Sequence, residues 1–231
     1  YQTIIAAKSE TNLCVSAKIR LGWDKNSRNY LEVADAVEQA GASWITVHGR
    51  ERSSGYDEPV DLQAIQRIKK AINIPVIGNG NLFTEADIQH MKDQASVDGV
   101  MISRGALGNP WIFDSSVDLQ KPLTPKKWFY LVKKHIGYQK EAYGNTMGAA
   151  VRMRKHLLWY LKGWKFSKSL KEKITETCDL DQMLNYVTEF YLSCEEKNLT
   201  RAYSQSSLTQ QENTRWDPKY DMDRQLDKPA C

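Results

Sequence analysis

The sequence predicts an α/β fold built on a parallel sheet, and three observations lead to this class. Four short apolar runs recur at intervals of roughly 25 to 30 residues. Helix-length amphipathic segments separate the runs, and polar or glycine-rich residues close each one. The 231 residues, of which 41% are hydrophobic and 26% charged, also contain enough apolar material for a folded core. Strand and helix therefore alternate as repeated βα units.

The apolar runs are rich in β-branched residues, as expected of strands that are buried on both faces. They cover residues 15–21, 44–48, 74–78 and 99–103. The intervening segments 29–39 and 62–72 have helical periodicity, and Thr84 with Asp87 three positions later predicts a capped start for a third helix.

The pattern changes in the second half of the chain. Residues 124–197 contain long helical stretches rich in aromatic and basic side chains, which predict a separate helical domain after a first domain at 1–115. Residues 198–231 are polar and lack periodicity, which indicates a disordered tail.

Polar clusters at the ends of the four predicted strands indicate a particular α/β fold. In parallel folds, above all in (β/α)8 barrels, the chemistry lies at the carboxyl ends of the strands. Only four βα units are visible where a barrel needs eight, and an open sheet would leave two unpaired edges. We therefore expect the last four units of a (β/α)8 TIM barrel, with its amino-terminal half upstream, followed by the helical domain.

Two of these clusters combine glycine amides with polar side chains, a pattern suited to binding phosphate. They are Asn79-Gly80-Asn81 and Ser103-Arg104-Gly105. Glycine lets a ligand approach the backbone closely, and a cation such as Arg104 favours a phosphate dianion. Ordinary turns are the alternative for each cluster taken alone.

Lys18 and His48 are candidate site residues on two other strands. A lysine that points into a barrel needs a negative partner, because burying an unpaired ammonium group is costly. The partner is either an anionic cofactor or a structural carboxylate. His48, which closes its strand before Gly49, is either functional or a core residue.

The helical region carries basic and aromatic residues in alternation, including Arg152, Arg154 and Lys155. This composition suits an RNA surface, and an ordinary solvated face is the alternative. The net charge of +4 is compatible with a polyanion partner and does not require one.

Composition excludes several other classes. No apolar stretch approaches the roughly 18 residues of a membrane span, and the start of the chain lacks a secretory signal pattern. The four cysteines are scattered without a CxxC pair, so we expect no metal site and a reduced, cytoplasmic setting.

Five stretches together resemble the tRNA-dihydrouridine synthase family, especially its bacterial-type branch. They are VSAKIRLGWD at 15–24, TVHGR at 46–50, IPVIGNGN at 74–81, GVMISRGALGNPWIF at 99–113 and RKHLLWYL at 154–161. The similarity runs from about residue 13 to 195. It implies an FMN-dependent barrel followed by a helical domain, in a parent protein that is monomeric. Such a protein would reduce tRNA uridines to 5,6-dihydrouridine with NADPH as the electron donor.

The resemblance also implies roles for individual residues. Lys18 would contact the polar edge of the flavin ring, and His48 would lie near the flavin and its phosphate. The phosphate would be held on two sides by the residues Asn79, Gly80, Asn81, Ser103, Arg104 and Gly105. RNA contacts are expected at Arg50, Arg152, Arg154 and Lys155. Family members often have Asp at the position of Asn81 and Gly at that of Ser103.

The proton donor of the family is a cysteine in a loop of the upstream half of the barrel. None of Cys14, Cys178, Cys194 and Cys231 has that sequence context, so no catalytic residue is assigned within this chain. Two alternatives stay open: a non-catalytic RNA-binding remnant of such an enzyme, and a different phosphate-binding barrel enzyme that acts on a metabolite.

Overall fold

The computed structural model describes residues 1–114, 116–117 and 121–201. The chain divides into two compact units, Tyr1–Ala106 and Leu107–Cys231, called here the sheet unit and the helical unit. The predicted tail from 202 onward lies outside the described residues.

The sheet unit contains one four-stranded sheet in which every neighbouring pair is parallel. Its strands, in the order β1-β2-β3-β4, are Ala17–Arg20, Ile45–His48, Val76–Asn79 and Gly99–Met101. Three strands lie inside predicted apolar runs, and β3 extends one residue beyond its run. The predicted α/β class with a parallel sheet is thereby confirmed.

Four helices accompany the strands: α1 Gln2–Ser9, α2 Tyr30–Gln39, α3 Leu62–Ala71 and α4 Glu85–Ala95. The predicted start of α4 is observed as a capping box, in which Thr84 and Asp87 bond each other's backbone N–H groups. Helix α1 was not predicted from the sequence, because Ile4 is the one residue it buries and it has no apolar stripe.

The two faces of the sheet have different environments. On one face, Ile45, Val47 and Val76 lie in a buried cluster with Ile65 and Ile68 of α3. This cluster forms the core of the sheet unit. Side chains alternate between faces along a strand, so the neighbouring residues point the opposite way. That second face carries a row of residues in register at the ends of the strands: Arg20, His48, Asn79 and Met101.

The helical unit contains α5 Pro125–Tyr143, α6 Met147–Tyr160, α7 Lys168–Glu176 and α8 Leu180–Glu196. Its core is rich in aromatic residues. The Trp128 ring lies 5.4 Å from that of Trp164 and 5.7 Å from that of Phe190, and its Nε1–H donates to the carbonyl of Tyr160 at 3.0 Å. Arg201 pairs with Leu123 in an antiparallel bridge that closes the described part of this unit.

No helix in the described part of the chain is long and apolar enough to cross a membrane.

Candidate active site

A cavity of about 180 Å³ lies at the carboxyl ends of the strands of the sheet unit. Its lining comprises Lys18, Arg20, His48, Tyr56, Asn79, Gly80, Asn81, Leu82, Phe83, Met101, Ser103, Arg104 and Gly105. All eight residues expected to bind the cofactor are among them. The structure thus brings four separate strand ends of the sequence to one place, while the role of each residue stays a prediction.

Strand register explains this convergence. Arg20, His48 and Asn79 are Cα partners across β1, β2 and β3, so their side chains project from one edge of the same face. Lys18 lies two residues before Arg20 and therefore shares that face. The Nδ2 group of Asn79 donates to the carbonyl of Met101 at 2.7 Å and to Ser103 Oγ at 3.3 Å. These bonds tie the end of β3 to β4 and to the segment that follows it.

Arg104 is held in place by an amide and an aromatic ring. Its Nη2 donates to Asn81 Oδ1 at 3.1 Å, and its guanidinium carbon lies 4.1 Å from the centre of the Tyr56 ring and 5.4 Å from that of Phe83. Cation–π contacts and a hydrogen bond to an amide oxygen restrict a long side chain that would otherwise rotate freely. Asn81 has a positive φ of 49°, a conformation that asparagine tolerates better than most residues.

Gly80 and Gly105 allow backbone segments to pack closely beside the cavity. Gly80 has φ +128°, and a Cβ atom there would come within 2.8 Å of Val60 Cγ2. At Gly105 an added Cβ would collide with the carbonyl oxygen of Leu82. Both positions therefore require glycine for steric reasons within the protein itself.

The electrostatics of the cavity favour an anion. Lys18, Arg20 and Arg104 line it, and among the residues that the structure describes no carboxylate does. Burial, together with the surrounding cations Arg20, Lys18, Arg50 and Arg104, lowers the pKa of His48 to about 3, so its imidazole is neutral at pH 7. Burial and the charge of Arg20 also lower the pKa of Lys18. A bound dianion would offset the repulsion among these groups.

Arg50 is buried in the loop that follows β2. The side chain is 2% exposed; its Nε donates to the carbonyl of Glu58 at 2.7 Å and its Nη2 to that of Tyr56 at 2.9 Å. Its Nη1 donates to Asn81 Oδ1 at 3.3 Å. These bonds give the buried guanidinium a structural role, and the RNA contact expected at Arg50 stays a prediction that its burial does not favour. Arg50 holds the loop that carries Tyr56 over the cavity.

Sequence reasoning missed Arg20, Tyr56 and Phe83 as site residues. A signal existed for Arg20, because period-two alternation places it on the same face as Lys18. Its Nη1 donates to the carbonyl of Glu51 at 2.7 Å, which fixes the side chain at the edge of the cavity. Tyr56 comes from an irregular loop, so no periodicity could have indicated its position.

Comparison with known proteins fits this geometry. A family model described as dihydrouridine synthase matches residues 1–195. The tRNA-dihydrouridine synthase B of Pasteurella multocida (strain Pm70) is 33% identical over 196 residues, which cover 80% of this chain and 58% of that protein.

The chain belongs to the dihydrouridine synthase family.

Two further members of this family have similar extents of match. A probable tRNA-dihydrouridine synthase of Rickettsia bellii (strain RML369-C) is 32% identical over 195 residues, covering 81% of this chain and 59% of the relative. The tRNA-dihydrouridine synthase B of Pseudomonas syringae pv. tomato (strain ATCC BAA-871 / DC3000) is 31% identical over 196 residues, covering 82% and 57%. The chain thus spans a little under three fifths of the length of these dihydrouridine synthases.

The helical unit of this dihydrouridine synthase family member presents the predicted RNA-binding residues in two different ways. Arg152 and Lys155 are exposed on α6, and the guanidinium carbon of Arg152 lies 4.9 Å from the centre of the Tyr143 ring. Arg154 is half-buried, and its Nε and Nη2 donate to the carbonyl of Thr177 at 3.2 and 3.0 Å. Arg152 and Lys155 are therefore available to a ligand, whereas Arg154 ties α6 to the segment between α7 and α8.

Within residues 1–114, 116–117 and 121–201, no cysteine lines the cavity. Cys14 is exposed ahead of β1, and Cys194 is buried in α8. The same part of the chain contains no cluster of three or more residues that could hold a metal ion.

Proposed function

We propose that this chain supplies the flavin mononucleotide site and an RNA-binding surface of a tRNA-dihydrouridine synthase, which reduces uridines in tRNA to 5,6-dihydrouridine with NADPH. Membership of the dihydrouridine synthase family supports the reaction class. The observation that carries the assignment is the convergence of Lys18, Arg20, His48 and Arg104 on one cavity.

The lining of the cavity fits FMN in chemistry. Three cations, the Ser103 hydroxyl and the Asn81 amide nitrogen offer hydrogen-bond donors, and within the described residues no carboxylate in the lining opposes a phosphate. Tyr56, Leu82, Phe83 and Met101 add the apolar surface that an aromatic ring system needs. This combination of an anion site with an apolar wall is less suited to a small, fully polar metabolite.

We propose that the sheet is part of a (β/α)8 barrel. In the described part of the chain, β1 pairs with β2 alone and β4 with β3 alone, so each has one open edge. The face with the cavity carries buried polar residues, namely Thr46, His48 and Asn79, as expected of the interior of a barrel near its catalytic end.

The residues of the chain would act mainly by binding and orientation. Arg104, Ser103 and Asn81, with the backbone at Gly80 and Gly105, would hold the phosphate of FMN. FMN, when bound and reduced by NADPH, would supply the hydride that reduces the C5–C6 bond of uracil. Lys18 would place positive charge beside the polar edge of the flavin ring. The exposed basic side chains of Arg152 and Lys155 would bind RNA phosphates. This binding would help to hold a target uracil that has been turned out of its stack.

One observation favours the alternative of a non-catalytic RNA-binding protein for the chain by itself. The reduction also needs an acid that protonates uracil C5. In the described part of the chain, no thiol or carboxyl group lines the cavity. The chain could therefore bind flavin and RNA without turnover.

The test combines binding with turnover. The 231-residue chain is titrated with FMN and with unmodified tRNA, and dihydrouridine is then measured after incubation with FMN, NADPH and that tRNA. Binding of both ligands with dihydrouridine formation supports the synthase function, whereas binding of both without product supports the alternative. If FMN does not bind, the flavin-site assignment is wrong.

A further inference from the structure

The loop between α6 and α7 exposes a phenylalanine in an unfavourable backbone conformation. Phe166 is 73% exposed, and no aromatic side chain in the described part of the chain is more exposed. Its φ is +59°, in the left-handed region that bulky residues rarely adopt. Neither burial nor backbone preference explains a phenylalanine here, since glycine would fit the same turn without strain.

Anchored neighbours fix the direction of the Phe166 side chain. Trp164 is buried, with its ring 5.4 Å from that of Trp128 and 6.1 Å from that of Phe190. Ser167 is also buried, and its hydroxyl donates to the carbonyl of Trp164 at 2.9 Å. Because buried residues stand on both sides of it in the sequence, Phe166 is held outward by the fold.

The surroundings of this ring are strongly positive. Residues 162–173 contain five lysines and one glutamate, and the Nζ of Lys197 lies 5.8 Å from the centre of the Phe166 ring. In residues 121–201, no acidic side chain forms an ion pair with Lys165 or Lys168. By contrast, Lys140 pairs with Asp181 at 2.7 Å. Lys173 of α7 pairs with Glu189 at 3.7 Å, and Glu195 and Glu196 precede Lys197, so the positive region is confined to the loop and the start of α7.

We propose that Phe166 is a stacking platform for an unpaired RNA base, with Lys165 and Lys168 binding the adjacent phosphates. The inference rests on the proposed RNA-binding function. It adds an RNA contact at Phe166 to those proposed at Arg152 and Lys155. Aromatic rings stack on any base, and lysines attract the phosphate backbone. A protein partner fits less well, because lysine is depleted from the cores of protein interfaces.

Backbone strain makes the proposal testable against a purely structural role. If Phe166 contributed to the fold, replacing it with glycine would destabilise the protein. If the residue serves RNA binding, Phe166→Gly removes the strain, so the midpoint of thermal unfolding rises while RNA affinity falls. Opposite changes in stability and binding would be hard to obtain from general damage to the fold.

The experiment uses the full 231-residue chain with two probes, an unmodified tRNA and a fully paired RNA duplex with the same number of phosphates. Phe166→Ala and Phe166→Gly are expected to raise the dissociation constant for tRNA about tenfold, because stacking on one base is lost. The duplex exposes no unpaired base, so its weaker binding changes little. Phe166→Trp retains an aromatic surface and keeps the affinity.

Salt dependence separates the ring from the lysines. Phe166→Ala leaves the slope of log affinity against log salt concentration unchanged, because no charge is removed, whereas Lys168→Ala lowers that slope by about one. Phe113→Ala is the matched control, since Phe113 is 64% exposed in the same unit and does not have a positive φ. It should leave tRNA binding unchanged.

The outcomes distinguish this inference from the proposed function. If the unaltered chain binds tRNA and the Phe166 variants bind it equally well, the platform is wrong and the RNA-binding function stands. If the unaltered chain binds no RNA, both are wrong, irrespective of flavin binding. A lower unfolding midpoint for Phe166→Gly would also overturn the inference, because the ring would then serve the fold.

Discussion

The helical unit and the sheet unit each bury one very large side chain, and the two side chains differ in chemistry. In the described part of the chain, the two largest fully buried side chains are Trp128, in the helical unit, and Arg50, in the sheet unit. Trp128 packs against other aromatic rings, and its Nε1–H bonds the carbonyl of Tyr160. Arg50 bonds the carbonyls of Tyr56 and Glu58 and the amide of Asn81, next to the cavity.

This difference shows how each unit relates stability to function. Burying an aromatic ring contributes free energy directly. Burying a guanidinium group carries a desolvation cost that its hydrogen bonds only offset, so it gives mainly orientation. Both units have an apolar core. The sheet unit also buries a charged group beside its candidate site, whereas the helical unit leaves Arg152 and Lys155 exposed on its surface.

The largest effect is expected at Trp128. Trp128→Ala should lower the free energy of unfolding by about 3–5 kcal/mol, because it leaves a cavity among Trp164 and Phe190. Urea denaturation measures this change. Tyr130, on the same helix and 68% exposed, is the control, and its replacement by alanine should change stability by less than about 0.5 kcal/mol. Equal effects of the two variants would contradict the assigned core.

Arg50→Met should affect stability and the site together. The variant keeps most of the side-chain volume but leaves the carbonyls of Tyr56 and Glu58 without these donors, which costs about 1–3 kcal/mol. FMN affinity should fall as well, since Tyr56 and Asn81 both contact Arg104. Arg52→Met, at an exposed position two residues later, should change neither quantity. A loss of stability with unchanged FMN affinity would show that the Arg50 loop does not support the site.

The same substitution at two glycines should have opposite signs in the two units. Gly105→Ala places a Cβ against the carbonyl oxygen of Leu82 and should destabilise the protein by about 1–3 kcal/mol. Gly137→Ala, within α5, meets no atom within 4 Å and should stabilise it by about 0.5–1 kcal/mol through higher helix propensity. Chemical denaturation measures both. Equal signs would refute the steric account of Gly105.

A further prediction concerns the pH dependence of stability. The pKa of His48 is about 3 in the folded protein, below its ordinary value of 6.5, so between these values the unfolded chain binds a proton that the folded chain does not. The contribution of His48 to stability is complete above pH 6.5 and is lost as the pH falls toward 3. His48→Gln should reduce this acid sensitivity in denaturation curves recorded from pH 7 to 4.

His156 in the helical unit sharpens this comparison, because burial, His135 and Lys155 lower its pKa to about 4. Inorganic phosphate, as an anion among the cations of the cavity, should raise the pKa of His48 and leave that of His156 unchanged. Imidazole NMR signals follow both residues. Titration of His48 near pH 6.5 without phosphate would contradict the cavity's electrostatics.

The strands and their ends could be predicted from the sequence for two reasons. Side chains alternate between the two faces of a strand, and the carboxyl ends of parallel strands lie at the same edge of a sheet. These two rules placed Lys18, His48, Asn79 and Arg104 together without any knowledge of loops. Arg50 and Arg104 look alike in the sequence, since each follows a strand end. Arg50 is buried in the loop after β2, whereas Arg104 lines the cavity, and that difference depends on tertiary packing.

The helical unit shows a different limit. The sequence interpretation places Arg152, Arg154 and Lys155 on one basic surface. Successive residues rotate by about 100° around a helix, so Arg154 faces a different direction from Arg152 and Lys155. Helical periodicity could have separated them. The outward position of Phe166 could not be inferred, because it depends on the burial of Trp164 and Ser167.

The most direct test of the central claim compares FMN with riboflavin, which lacks the phosphate, in the unaltered chain and in Arg104→Ala. Flavin fluorescence titration gives both dissociation constants. If the strand ends hold a phosphate, the chain binds FMN at least about tenfold more tightly than riboflavin, and Arg104→Ala removes most of that preference. Equal affinity for the two flavins, or a preference that Arg104→Ala leaves intact, would contradict the claim.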